Sequence, residues 1–215
     1  CNFPGTLDSL PEGKAVLTGS PIRQELLSGN KIAALDLCGF TADKPVILVI
    51  GGSLGSVVVN NAVRQSLPEL LEDFQIIHLC GKGKTDDSLK DTKGYCQFEY
   101  IKNELRDIFA LADIVISRAG ANAICELLAL RKPNLLIPLS AKASRGDQIL
   151  NARSFERQGF SMVLEEEALS GETLVAAVHS LYENRGTFID AMRSSGQQDS
   201  IRTIISLIEE AASAK

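Results

Sequence analysis

The run Val46-Ile47-Leu48-Val49-Ile50 stops abruptly at Gly51-Gly52-Ser53-Leu54-Gly55-Ser56. An amphipathic pattern follows at once in Val59, Ala62, Val63, Leu67, Leu70 and Leu71. A short, mostly β-branched apolar run, a glycine turn and a helical period read as a buried strand, a tight turn and a helix N-terminus. Unpaired N–H groups at such a turn point at an anion, and the helix dipole adds partial positive charge. Glycines let the backbone approach a ligand where a side chain would collide. A phosphate-containing ligand, in the first place a nucleotide, is therefore expected. The loop lacks the Lys-Ser/Thr of a P-loop, which disfavours magnesium-dependent triphosphate hydrolysis. It also departs from Gly-x-Gly-x-x-Gly, and no acidic residue closes a second strand about 20 residues on, where His78 and Cys80 stand instead. Taken alone, the same glycines also fit a turn that merely packs tightly.

From Val46 onward, strand and helix signals alternate. Strands are expected at 46–50, 74–80, 95–99, 113–117, 133–137 and 160–164, and helices at 56–71, 104–111, 121–130, 147–158, 171–183 and 198–213. The strand-to-strand spacing, roughly 20–30 residues, suits right-handed βαβ crossovers. Near-continuous apolar strands such as Ile114-Val115-Ile116 indicate burial on both faces. The fold class expected is α/β, an open, doubly wound parallel (Rossmann-like) sheet. In such sheets ligands sit outside the carboxyl ends of the strands. The polar and glycine clusters at 51–56, 81–84, 100–101, 117–120 and 140–148 all fall there. Residues 24–44 give a short helical pattern and a turn. Residues 1–22, opening Cys-Asn-Phe-Pro-Gly, carry no early strand and read as a connecting segment, so the chain is expected to be the interior of a longer protein.

Composition narrows the function classes. The 215 residues are 45% hydrophobic and 23% charged, enough apolar content for a sizeable globular core. No apolar run approaches the ~20 residues that span a bilayer. A net charge of −5, with no dense Lys/Arg run, argues against a nucleic-acid partner, and 5% aromatics without Trp argue against a base-stacking surface. Cys1, Cys38, Cys80, Cys96 and Cys125 show no C-x-x-C spacing, which reads as a reduced, cytoplasmic protein. His78 and His179 are the only histidines, so no zinc site is expected, and both read as structural or surface residues.

Ser117-Arg118-Ala119-Gly120-Ala121-Asn122-Ala123-Ile124-Cys125-Glu126 opens the helix after the fourth strand. Small residues there let a ligand reach unpaired helix N–H groups. Glu126 is placed to accept hydrogen bonds from a ribose diol, or simply to complement the dipole as a solvated carboxylate. This segment, Thr18-Gly19-Ser20-Pro21-Ile22-Arg23, Gly51-Gly52-Ser53-Leu54-Gly55 and Asp147-Gln148-Ile149-Leu150-Asn151-Ala152 occur in the order and spacing of the MurG family. The chain resembles that family over essentially its whole length, most closely the branch carrying Ser144-Arg145-Gly146-Asp147-Gln148.

The resemblance implies an inverting transfer of GlcNAc from UDP-GlcNAc to lipid I, giving lipid II in peptidoglycan synthesis. It implies one half of a GT-B fold, the donor-binding half at 23–199, with 1–22 connecting it to an absent N-terminal half. It places Arg23, Gly52, Ser53, Leu54 and Gly55 on the diphosphate, Ile101 and Tyr100 at the uracil, and Glu126 on the ribose. Arg118, Gly120, Ala121, Asn122 and Ala123 would line the phosphate and sugar, and Asp147 and Gln148 the GlcNAc hydroxyls. Asp147 in place of the commoner Gln, Asn122-Ala123 in place of Leu-Thr and Leu54 in place of Gln depart from the usual pattern. No metal and no cofactor is implied. The catalytic base, the lipid I site and a peripheral contact with the inner membrane face would belong to the N-terminal half. The helix at 198–213 is expected to pack on this domain, with part of its apolar face turned toward that half. Another UDP-sugar enzyme of GT-B fold, such as a glycolipid synthase or UDP-GlcNAc 2-epimerase, a split transferase that needs a separate membrane-bound partner chain, and a non-catalytic nucleotide-binding module are the alternatives.

Overall fold

The computed structural model describes residues 1–7, 10–52, 55–195 and 200–213. Six parallel strands form one sheet: β1 (Val46–Ile50), β2 (Gln75–Leu79), β3 (Tyr95–Phe98), β4 (Ile114–Ser117), β5 (Asn134–Leu136) and β6 (Met162–Val163). Their order is β3-β2-β1-β4-β5-β6, so the winding reverses between β1 and β4. The expected doubly wound parallel sheet is the one observed.

The helices are α1 (Pro4–Leu7), α2 (Lys31–Cys38), α3 (Val57–Asp73), α4 (Leu105–Leu111), α5 (Ala121–Ala129), α6 (Asp147–Arg157), α7 (Gly171–Glu183), α8 (Arg185–Ser194) and α9 (Ser200–Ser213). Strand alternation divides the core into two layers. Val46, Leu48, Ile77, Val115 and Leu136 face α2, α4, α5 and α6, whereas Ile47, Val49, Ile76, Ile114, Ile116 and Leu135 face α3 and α7. Burial on both faces is why the strands are apolar throughout rather than alternating. Each fully buried Leu or Ile contributes roughly 1.5–3 kcal/mol.

Three features differ from the sequence reading. The strand expected at 160–164 shrinks to two residues, because Phe160 and Ser161 turn into the core before pairing begins. Helix α8 was not signalled: Gly186 and Thr187 weaken its propensity and Met192 is its one buried residue. It forms because Phe188 and Ala191 pack on the core. Helix α9 packs on this domain only in part: Thr203, Ile204 and Leu207 are half-buried. Among its described residues only Ser200, seated beside Gly19, is buried, while Ile201, Ile205 and Ile208 are 36%, 48% and 62% exposed. Both faces of the sheet are already covered, so the outer part of its apolar stripe, Ile205 and Ile208, stays exposed.

Candidate functional site

The reversal between β1 and β4 splays the loops leaving those strands, and a crevice opens at their carboxyl ends. A cleft of about 610 Å³ lies at this place. Ile50 and Gly52 come from the end of β1, and Ser117, Gly120, Ala121, Asn122, Ala123, Glu126 and Leu127 from β4 and α5. Leu79 ends β2, Glu99, Tyr100 and Ile101 follow β3, Leu105 and Phe109 belong to α4, and Arg23 reaches in from the N-terminal segment. The cleft thus has an apolar floor and a polar rim. Helix α5 directs the free N–H groups of its first turn toward it, since Gly120 supplies no side-chain cap.

Nine of the fifteen sequence-predicted residues line the cleft: Arg23, Gly52, Tyr100, Ile101, Gly120, Ala121, Asn122, Ala123 and Glu126. Ser53 and Leu54 lie outside the described residues. Arg23 and Glu126, assigned from the sequence to different parts of a ligand, are paired with each other. Arg23 Nε donates to Glu126 Oε1 at 2.9 Å and Nη2 to Oε2 at 3.1 Å, a bidentate fork. The carboxylate lifts the Arg23 pKa above its ordinary value, chiefly through that hydrogen bond. Arg23 is about half exposed, so the pair adds only about 0.2–1 kcal/mol to folding. Two side chains able to address a sugar diol and an anion are therefore pre-oriented at the cleft mouth.

Gly55 does not line the cleft but shapes its edge. Its φ is +66°, and a Cβ there would stand 1.9 Å from the Cys80 carbonyl oxygen. That carbonyl is held in turn: Asn60 Nδ2 donates to it at 2.9 Å, and His78 Nε2 lies 3.0 Å from Asn60 Oδ1. Because Asn60 Oδ1 accepts only, His78 Nε2 carries the proton; Nδ1 then accepts from the Tyr95 hydroxyl at 2.9 Å. His78 is fully buried, and desolvation, with Arg64 nearby, lowers its pKa to about 3. It is a structural residue, as expected. Lys84, known from the sequence only as part of the 81–84 cluster, donates from Nζ to the Gly55 carbonyl at 3.2 Å and brings a cation over the glycine turn.

Arg118 is not in the cleft. Its guanidinium is buried, donating to the Ile137 and Pro138 carbonyls at 3.0 and 3.1 Å and to Ser56 Oγ at 2.7 Å, and it pairs with Glu166. It ties the N-cap of α3, just after the glycine turn, to the loop leaving β5. Asp147 and Gln148 open α6 outside the cleft; Asp147 is exposed, and Gln148 Oε1 accepts from the Leu139 amide at 3.1 Å. Asn151 of the same motif donates to the Ala119 carbonyl at 3.0 Å, fixing α6 against the turn before α5. Glu99, Leu105 and Phe109 were missed. Glu99 adjoins the predicted Tyr100 and was within reach of the rim argument; Leu105 and Phe109 look like any other core residue. His179 sits at the surface, edge-on to Phe74. Among the described residues no group of three or more His, Cys, Asp or Glu could hold a metal ion.

Residues 46–208 match the glycosyltransferase family 28 C-terminal domain. Over 210 residues, 98% of the chain, it is 70% identical to the UDP-N-acetylglucosamine--N-acetylmuramyl-(pentapeptide) pyrophosphoryl-undecaprenol N-acetylglucosamine transferase of Lachnospira eligens. It is 66% identical over 209 residues, 97% of the chain, to the like-named protein of Lachnoclostridium phytofermentans. The chain spans 59% of the length of each of these relatives. Its fold is similar to that of Acinetobacter baumannii MurG, with a TM-score of 0.69, 22% identity and coverage of 94% of this chain and 58% of that one. The calicheamicin glycosyltransferase CalG4 aligns with a TM-score of 0.66 at 16% identity, covering 95% of this chain and 48% of that one. The fold is accordingly that of one half of a GT-B glycosyltransferase.

Proposed function

The chain belongs to the glycosyltransferase family 28 C-terminal domain family, and from that premise we propose that it is the donor-binding half of a peptidoglycan N-acetylglucosaminyltransferase. The whole enzyme takes GlcNAc from UDP-GlcNAc and places it on lipid I, with inversion and without a metal. The observation that carries the reading is the switch-point cleft, where an apolar floor, a carboxylate, a guanidinium and helix-terminal amides converge. Uracil lies over Leu105 and Phe109, with its edge at the Ile101 backbone and Tyr100 beside it. Glu126 takes the ribose hydroxyls. The 52–55 turn, the start of α5 and Arg23 take the diphosphate. Asp147 and Gln148, at the start of α6, meet the GlcNAc hydroxyls.

In this assignment the chain's own contribution to chemistry is electrostatic. Amides and Arg23 stabilise the charge that grows on departing UDP. The base that deprotonates the acceptor hydroxyl, the lipid I site and the membrane contact lie in the portion of the relatives that this chain does not span. Residues 1–22 serve as the connecting segment, 23–199 as the donor domain, and 200–215 as a segment directed at the other half. The full protein works at the inner face of the cytoplasmic membrane; among the described residues no helix is long and apolar enough to cross it.

Calorimetry and a lipid II formation assay on the 215-residue chain test the assignment. UDP and UDP-GlcNAc are expected to bind, with Arg23→Ala weakening UDP at least several-fold more than UMP, and no lipid II should form. Failure of the unaltered chain to bind UDP would refute the donor site. Lipid II formation by this chain alone would refute the division of labour.

A further inference from the structure

Cys38 and Cys96 are far apart in sequence and meet in the fold. Along β3, alternation turns Tyr95 into the layer under α3 and α7, and Cys96 the other way. In register Cys96 pairs with Ile77, which packs in the layer beneath α2 and α4. Cys38 is the last residue of α2 and packs against that same layer. Both residues are partly exposed and line one surface crevice of about 400 Å³, together with Gly39, Lys90 and Lys93. Each thiol perturbs the other, raising the Cys38 pKa and lowering that of Cys96. Neither lines the cleft. Among the described residues no third metal-ligating side chain joins them, so the chemistry open to the pair is that of a dithiol.

We propose that Cys38 and Cys96 form a modification site at which a small two-electron oxidant of the hydroperoxide class, entering by this crevice, closes a disulfide between α2 and β3. Cys96 is the attacking sulfur. The Cys38 thiol beside it holds its pKa below the ordinary value, which favours the thiolate. With hydrogen peroxide, the Cys96 thiolate takes the near oxygen, the O–O bond breaks, and the released hydroxide leaves as water with the thiol's proton. Cys38 has a raised pKa, first because Cys96 lies beside it and second because it is partly buried. Oxidation of Cys96 to the sulfenic acid removes the charge behind the first cause. Cys38 then attacks the Cys96 sulfur, the S–S bond forms, the S–O bond breaks, and a second water carries off the Cys38 proton. Two thiols lose two electrons and one peroxide becomes two waters. The inference is independent of the donor-site assignment.

The folded chain is treated with equimolar peroxide, blocked with N-ethylmaleimide and mapped without reduction. A Cys38–Cys96 linked peptide, two hydrogens lighter and reopened by dithiothreitol, is expected as the main product. Its loop closure should raise Tm by about 5 °C or more. Cys38→Ser should leave a dimedone-reactive sulfenic acid at Cys96, and Cys96→Ser should leave Cys38 alkylatable. Full alkylation of both thiols after peroxide, sulfinic acid at either without the link, or preferential linkage to Cys1 would overturn the proposal.

Discussion

Gly55 is fixed by two separate constraints, a left-handed φ and the Cys80 carbonyl against its Cα. Gly55→Ala violates both, and the clash is with backbone, so the turn must move. Nucleotide affinity is expected to fall at least tenfold by calorimetry, with Tm lowered as well. Gly52→Ala, strained at φ +91° but meeting no atom within 4 Å, should lose less. The carbonyl's supports make a second prediction. His78 is neutral when folded, with a pKa of about 3 against 6.5 for the free side chain, because burial disfavours its charge. Between those values the unfolded chain binds more protons, so stability is complete above pH 6.5 and drains away as pH falls toward 3. The slope contributed is up to about 1.4 kcal/mol per pH unit. His78→Gln should be less stable at pH 7 yet show a flatter acid limb in urea melts between pH 6 and 4; parallel limbs would exclude this account. At this scale the sequence named which polar residues gather at the rim, because each lies beside a glycine or helix start. It did not disclose their partners. The Arg23–Glu126 fork spans 103 positions, and Arg118, chosen for its motif, turned out to be a buried tie between loops.

Secondary elements were legible where one physical signal dominated. All six strands fall within the expected ranges, β1, β2 and β4 on β-branched runs, and α3, α5, α6 and α7 match their apolar periods within a few residues. The misses lie where tertiary contact decides: α8 has weak propensity, and β6 has only two paired residues. Nor does the apolar pattern state the strand order, which sets the switch point and hence the cleft; that follows from crossovers, not from any residue. The two-layer core does allow a quantitative contrast. Leu70 of α3 is fully buried, whereas Leu150 of α6 is 73% exposed beside the cleft-side motif. Leu70→Ala should cost roughly 2–5 kcal/mol in urea unfolding, and Leu150→Ala within about 0.5 kcal/mol. Equal losses would mean that α3 does not close the layer over Ile47 and Val49.

On the scale of the whole molecule, one apolar surface is only partly covered within the fold. Ile201, Ile205 and Ile208 recur at helical spacing on α9, and their exposure rises along the helix as it leaves Ser200 and Gly19. Sequence alone favoured burial of this stripe on the domain, since a 3.6-residue apolar period ordinarily marks a packed face. The period was right and the cover is only partial, Ile204 and Leu207 being half-buried, because periodicity reports that a face is apolar and not what covers it. Exposed apolar area at a helix surface favours association between copies when nothing else is offered. The net charge of −5 opposes this only over about a Debye length, 10 Å at 0.1 M salt. The 215-residue chain is therefore expected to self-associate weakly, more strongly at 0.5 M salt than at 0.05 M, in sedimentation velocity from 10 to 500 μM. Ile205→Lys with Ile208→Lys should leave a monomer at every concentration, while UDP binding, far along the chain at the switch-point cleft, stays within about twofold. If the double variant self-associates as the unaltered chain does, the contact lies elsewhere and α9 is not the surface that seeks a partner.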